Sequence, residues 1–435
     1  MIFDLFNRKA DKLRVFNASE NHLESIASQR LLNTANLESL DLSHNRIARI
    51  NPFTFVYSAK FKYLNLSYNQ LTKLDVKVFD RLRSLEVFHL DHNEIKQITG
   101  NFTNFKHNCK ELYLQNNMLL TLDPFLVRSI SILDLSENKI SEVRFHDSKL
   151  IELKISRNDL KVLTIGDNLE KLDASWNTEN FFFVDFTNSK NMKQLDLTGS
   201  RFSSKKQMID TIMTLKKLTH LNLADITFAF KEGMFNELKD LEELNLNDCF
   251  EQVEGFPNNT FNHMTKLKRL GLAYIHYLTL DLTKLAGSKE LENIDFRYCY
   301  ASNLIGWQNI SELLPKLKDI GLYNNRFECN ETKLIIKDFK AKGIKVDELE
   351  EYGEQQFSAH CRMPYDFSNS DTNKSGDQTH ESGLKKSHKF IGWFVGILIF
   401  CIVIGGLVVM HRRFNIFSRS NGPLYRSSAL ANDEI

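Results

Sequence analysis

The chain carries almost no net charge, with 56 Lys and Arg against 55 Asp and Glu, a balance of +1. Proteins that hold nucleic acid gather basic residues on one face. Here the basic excess falls in residues 385–435, where seven Lys or Arg meet two acids (+5), leaving −4 for residues 1–384. No nucleic-acid partner is expected. Catalytic patterns are missing too: there is no G-x-S-x-G, no glycine-rich phosphate loop and no H-E-x-x-H. Each of those spacings exists to place a nucleophile, a phosphate or a zinc ion, so neither an enzyme nor a cofactor is expected. The opening MIFDLFNRKADKL also lacks the apolar run of about 7–15 residues that a secretory signal needs.

What the sequence does have is repetition. The pattern L-x-x-L-x-L-x-x-N-x-L is clearest at Leu37, Leu40, Leu42, Asn45, Ile47 and again at Phe61, Leu64, Leu66, Asn69, Leu71. Its first position recurs at Leu13, Leu37, Phe61, Leu85, Cys109, Ile130, Leu150, Leu169, Met192, Leu218, Leu241, Leu267, Leu291 and Leu317. A period of 20–29 residues with this spacing marks a leucine-rich-repeat solenoid. Each L-x-L is a short strand whose alternate side chains point inward, and each Asn turns its amide inward to satisfy backbone groups at the bend. The expected fold is therefore an α/β solenoid: a horseshoe of about 14 repeats with parallel strands on the concave face, a C-terminal cap and a single transmembrane helix.

The boundaries follow from composition. Residues 1–12 form an N-terminal stub that precedes the first repeat without a cap, which reads as an incomplete start; residues 13–328 are the repeats. Among the 33 Phe, residues such as Phe55, Phe79 and Phe235 are expected to fill the repeats, with the run Phe181-Phe182-Phe183 beside them. Cys109 takes a first-leucine slot, and Cys249 and Cys299 take Asn slots, so all three are expected to be buried thiols. Cys329 and Cys361 flank the end of the last repeat. A disulfide between them would close a cap over residues 329–365, built on a helix through Leu334, Ile335, Ile336 and Phe339 and a strand at Ile344–Val346.

A polar stalk is expected at 366–389. Residues 390–410, FIGWFVGILIFCIVIGGLVVM, contain Cys401 and no charge, and are long enough to span a bilayer as a helix. A tail of 25 residues, 411–435, follows and is too short for a kinase or Toll-type domain. Sequons stand at Asn17, Asn65, Asn101, Asn258, Asn309, Asn330 and Asn373. Lys385, Lys386 and Lys389 precede the span and Arg412 and Arg413 follow it, a slight bias that favours a solenoid outside the cell and a cytoplasmic C-terminus. The alternative is a tail anchor with a cytosolic solenoid.

The repeats from Leu37 to Phe327, the cap opening Asn325-Arg326-Phe327-Glu328-Cys329 through Ile344-Lys345-Val346, and the span together resemble insect leucine-rich-repeat immune proteins. They are most similar to the transmembrane branch of the mosquito leucine-rich immune molecules and, more broadly, to extracellular leucine-rich-repeat receptors. The resemblance implies a single-pass membrane glycoprotein that binds protein or glycan ligands in innate immune recognition, with a co-receptor or a second copy as partner. It departs from the secreted members, which carry a coiled coil and a cysteine cluster. Homophilic adhesion is the competing reading.

Ligand contacts are sought on outward-facing positions, assigned from strand alternation. The residue before each motif Asn gives Glu20, His44, Tyr68, His92, Asn116, Glu137, Arg157, Trp176, Gly199, Asp225, Asp248, Tyr274, Tyr298 and Asn324. The residue between the second and third leucines gives Asn17, Asp41, Asn65, His89, Tyr113, Asp134, Lys154, Asp173, Asp196, Asn222, Asn245, Gly271, Asp295 and Gly321. Exposed Tyr and Arg are typical binding anchors, which selects Tyr68, His89, His92 and Tyr113 near the start and Tyr274, Arg297, Tyr298 and Tyr323 near the end. Asp173, Asp196, Asp225 and Asp248 make the middle acidic. His89, Asp91 and His92 are too few for a firm metal site, and His44, His89 and His92 are placed to make binding sensitive to acid.

Overall fold

A computed structural model describes residues 12–346, apart from 27–30, 32–33, 101–108, 147, 178–182, 187–188 and 250–255, together with the backbone of Cys361–Arg362. The chain divides into two units, residues 1–364 and 365–435. The stalk, the span at 390–410, the tail, Phe181, Phe182, Asn101, Asn373 and Cys401 lie outside the described residues, as does the Cys361 side chain. Among the described residues, no helix is long and apolar enough to cross a membrane.

One parallel sheet runs through the first unit, and its strands pair in chain order. The strands are β1 Val15–Asn17, β2 Ser39–Asp41, β3 Tyr63–Asn65, β4 Val87–His89 and β5 Glu111–Tyr113. Then come β6 Ile132–Asp134, β7 Glu152–Lys154, β8 Lys171–Asp173, β9 Gln194–Asp196 and β10 His220–Asn222. The last are β11 Glu243–Asn245, β12 Arg269–Gly271, β13 Asn293–Asp295, β14 Asp319–Gly321 and β15 Lys345–Val346. Each of β1–β14 holds three residues because only the middle leucine-type residue of each L-x-x-L-x-L needs to face the core from a strand. Leu40, Leu64 and Phe88 stand in register and are buried.

The turns return in different ways. The step from Met192 to Leu218 is 26 residues and accommodates helix α1, Lys205–Ile212, capped by Ser204 accepting from Gln207 N. The steps from Ile130 to Leu150 and from Leu150 to Leu169 are 20 and 19 residues. There the return is extended, Glu142–Phe145 pairing with Val162–Ile165, and Phe183–Asp185 of the next step joins them in a second small parallel sheet. A strand covers about 3.3 Å per residue against 1.5 Å for a helix, so fewer residues suffice. Phe55, Phe79 and Phe235 are fully buried as expected, with Phe55 stacked on Phe79 at 5.6 Å between centroids.

The Asn slots work as the repeat pattern requires. Asn69 donates from Nδ2 to the Leu42, Leu66 and Ser67 carbonyls at 3.0, 3.1 and 3.1 Å, and its Oδ1 accepts from Ile47 N at 2.9 Å. It thus satisfies buried backbone groups of two consecutive repeats, each of which would cost about 1–3 kcal/mol if left bare. Where the slot holds Cys249 or Cys299, the thiol donates to Leu223 O at 2.9 Å or Leu272 O at 3.2 Å. These two and Cys109 are free and buried.

On the surface, the residue after the first leucine alternates in sign from Arg14 to Lys110 and again from Glu242 to Lys318. Lys62 bonds Glu38 at 2.8 Å, Lys268 bonds Glu242 at 2.7 Å and Lys318 bonds Glu292 at 2.7 Å. Exposed pairs of this kind add little to stability, because water screens them and two long side chains must be held still.

Helix α2, Ile310–Leu313, precedes β14, and α3, Cys329–Ala341, follows it. Buried Ile335 and Phe339 seat α3 over the last repeat, and β15 extends the sheet by one strand. Cys329 at the start of α3 is disulfide-bonded. The short strand Phe327–Glu328 pairs with Cys361–Arg362, placing Phe327 opposite Cys361.

Candidate functional site

The structure corrects the register argument for one of the two outward rows. The residue before each motif Asn does not lie on a strand. All fourteen, from Glu20 to Asn324, sit past the strand end in left-handed backbone, with φ between +52° and +64°. Strands of three residues end too early for alternation to reach them. A left-handed conformation costs a residue with a Cβ about 1–2 kcal/mol, least for Asn and Asp. Gly199, Asn116, Asp225, Asp248 and Asn324 obey that preference. The other nine do not: Glu20, Glu137 and Arg157, and the ring-bearing His44, Tyr68, His92, Trp176, Tyr274 and Tyr298.

The second row does close the strands, and most of it serves the turn that follows. Asn17, Asp41, Asn65, Asp134, Asp173, Asp196, Asn222, Asn245 and Asp295 each accept, through Oδ1, the backbone N–H two residues on, at 2.8–3.2 Å. Half of the acidic middle is therefore turn chemistry: Asp173 and Asp196 are engaged this way, and also accept from the Ser175 and Thr198 hydroxyls at 2.6 Å. Five strand ends break the pattern: Lys154, Gly271, Gly321 and, on two adjacent strands, His89 and Tyr113. At His89 and Tyr113 the turn acceptor gives way to rings stacked 4.4 Å apart and 6° from parallel.

These departures meet near the N-terminus. Tyr68 is sandwiched between His44 and His92, at 4.2 and 4.0 Å between centroids. Its hydroxyl lies 3.2 Å from His92 Nε2, and Asn116 Nδ2 lies at the same distance from that nitrogen. Buried Asp91 joins the two rows, with Oδ1 3.3 Å from His89 Nδ1 and Oδ2 3.0 Å from His92 Nδ1. Burial works against ionisation of Asp91, but the hydrogen bonds from His89 and then His92 outweigh it and hold the carboxyl below its usual range. The Tyr113 hydroxyl donates to Glu111 at 2.9 Å, and burial followed by that bond pushes it up to about 12. The four residues singled out from the sequence are brought together, with His44 added. Among the described residues no group of three or more His, Cys, Asp or Glu is placed to hold a metal.

The second cluster also assembles. Tyr274 stacks on Tyr298 at 4.6 Å and 3°, and Tyr323 meets Tyr298 edge-on at 5.4 Å. Arg297 binds Asp295 through two nitrogens at 2.8 and 2.7 Å. A contact missed from the sequence lies between the clusters. Trp176, 42% exposed, has the Arg157 guanidinium 5.9 Å from its ring centre. A Cβ on Gly199 would fall 2.5 Å from Trp176 Cε3, so the glycine leaves room for the ring. A large aromatic in the ladder with glycine one repeat later was the available signal.

With this geometry in place, the comparisons are direct. A family model described as leucine rich repeat matches residues 11–71, 35–95 and 59–119. The fold is a leucine-rich-repeat solenoid. No curated protein sequence matches the chain. Among solved structures, the solenoid is similar to TLR13 in its complex with ssRNA13, at 21% identity and TM-score 0.63, over 79% of this chain and 55% of that one. It spans about half the length of that relative. The leucine-rich-repeat domain of APL1 is similar at 18% identity and TM-score 0.61, over 83% of this chain and 92% of the domain. The LRIM1/APL1C complex is similar at 15% identity and TM-score 0.50, over 92% of this chain and 66% of that one. At these identities the likeness is one of fold. One of these solenoids is bound to RNA and another to a protein partner, so the architecture by itself does not exclude nucleic acid.

Proposed function

We propose that the chain is a single-pass cell-surface recognition protein of innate immunity, holding a protein or glycan ligand on its sheet face and on the left-handed ladder beside it. One observation carries this reading. Across repeats 2–5, rings occupy the ladder slot at His44, Tyr68 and His92 and the strand-end slot at His89 and Tyr113, where other repeats carry Asn, Asp or Gly, and they form one surface patch joined from beneath by buried Asp91. Such a departure from local preference is expected at a site retained for binding. The surface location rests on the apolar run 390–410, and the pairing of Cys329 with Cys361 on the cap strands that place their neighbours together. The balance of charge favours protein or glycan over nucleic acid. Site-specific photo-cross-linking tests the patch: in cells displaying the full chain, a photoreactive residue at position 68 should give ligand adducts that one at position 334, on the cap helix, does not. Equal labelling at both positions, or none at 68, would argue against it.

A further inference from the structure

A second feature of the same sheet face has a chemistry of its own. A trough of 720 Å³ crosses β7 to β14, a length of roughly 34 Å at about 4.8 Å per strand. Its lining includes six carboxylates and four Lys or Arg, interleaved with the amides of Gln194, Asn222, Asn245, Asn247 and Asn293. All four cations stand against carboxylates: Lys154 and Lys171 on Glu152 at 3.7 and 3.5 Å, Arg269 on Glu243, and Arg297 on Asp295 at 2.7 Å. An anionic polymer would have to displace those pairs.

The floor opens at Gly271 and Gly321, the only two strand ends in the row without a side chain, on either side of Asp295. The gap at Gly271 is compensated. In nine other repeats the strand-end side chain accepts the N–H two residues on. Here Ala273 N donates at 2.8 Å to Asn247 Oδ1, reaching over from the preceding repeat. The turn keeps its acceptor while the strand end stays bare, flanked by the Asn245 and Asn247 oxygens, which would lie 2.7 and 2.8 Å from a Cβ placed there.

A surface rich in both donors and acceptors, with its four cations already against carboxylates, matches a ligand made of hydroxyls, each of which donates and accepts. We propose that this trough binds an uncharged oligosaccharide, laid across the strands with one ring over Gly271. The proposal rests on reading the sheet face as the ligand face, but not on the aromatic patch.

The test uses the full chain in lipid nanodiscs and measures binding of cellohexaose, maltohexaose, laminarihexaose, chitohexaose and mannohexaose, with a heparin hexasaccharide and a single-stranded RNA alongside. At least one neutral hexasaccharide should bind with a Kd below about 1 mM and with little dependence on salt, since no phosphate or sulfate contacts are involved. Gly271→Asn carries the residue type of β11, must push aside the Asn245 and Asn247 side chains, and should weaken that binding by about tenfold or more at a temperature where circular dichroism shows the variant folded. Tyr68→Asn should leave it intact. No binding by any neutral hexasaccharide, stronger and salt-sensitive binding of heparin or RNA, or indifference to Gly271→Asn would each overturn the proposal. Loss through Tyr68→Asn alone would place the sugar at the aromatic patch instead, which contradicts the trough but not the recognition role.

Discussion

Tyr68 lies flat against His92, with ring centroids 4.0 Å apart and planes 11° from parallel, and both residues hold a left-handed backbone. Other repeats hold the same left-handed backbone with Asn116, Asp225, Asp248 or Asn324, which bear its cost more easily and bring no ring to stack. Tyr68→Asn is therefore expected to keep the unfolding free energy within about 1 kcal/mol of wild type, because relief of backbone strain offsets a lost ring contact of similar size. Its neighbour behaves differently. Asn69→Leu strips partners from Leu42 O, Leu66 O, Ser67 O and Ile47 N, and should cost about 3 kcal/mol or more. Urea unfolding of the two variants measures both; a comparable loss from Tyr68→Asn would assign the ring to the fold.

Asp91 makes acid stability informative. Its carboxyl is held below the usual 3.8 because the His89 and His92 hydrogen bonds outweigh its burial. A depressed folded-state value stabilises the protein above the unfolded value, and that contribution fades as pH falls through the folded one. Ser occupies the equivalent place at Ser43 and Ser67, so Asp91→Ser fits the repeat. Wild type should be the more stable of the two near pH 6, and the gap should close below about pH 3.8. A gap that stays constant from pH 6 to pH 3 would show that the carboxylate contributes nothing through ionisation.

The cysteines divide into two chemical classes. Burial pushes the Cys109, Cys249 and Cys299 thiols up to about 12, so they should resist alkylation in the native protein and react once it is unfolded. Cys329 should stay blocked even then until a reductant is added. Non-reducing peptide mapping is expected to find it joined to Cys361. Linkage to any other cysteine would reassign the cap.

Glycan mapping reads topology. Asn17, Asn258, Asn309 and Asn330 are exposed. Asn65 is half-buried on β3 between Asp41 and His89; its Oδ1 accepts from Ser67 N, and Tyr63 hydrogen-bonds to its side chain. An outward solenoid should carry sugar at one or more of the four exposed sites and none at Asn65. No mass change on N-glycosidase treatment, together with failed surface labelling, would place the solenoid in the cytosol and remove the receptor reading.

The sheet, the Asn ladder and the buried Cys249 and Cys299 were legible because one repeat unit dictates them, and an error in one turn is corrected by its neighbours. The membership of both ring clusters was legible for the same reason. What escaped was the backbone beneath them. Three-residue strands put Tyr68 and Trp176 beyond the pleat, where alternation says nothing, and the Asn247 to Ala273 bond depends on a side chain crossing between repeats. Asp173 and Asp196 looked like a ligand-facing acidic patch because the sequence does not show which carboxylates a turn has already engaged.

Whether the rings of repeats 2–5 belong to a ligand or to the fold is tested most directly by quantitative affinity capture from the cells that express the protein, with wild type compared against a Tyr68→Asn, His89→Asn double variant of matched stability. The expected result is at least one surface or soluble partner enriched about tenfold or more on wild type and lost from the variant. The same set of partners in the same amounts on both proteins would contradict it.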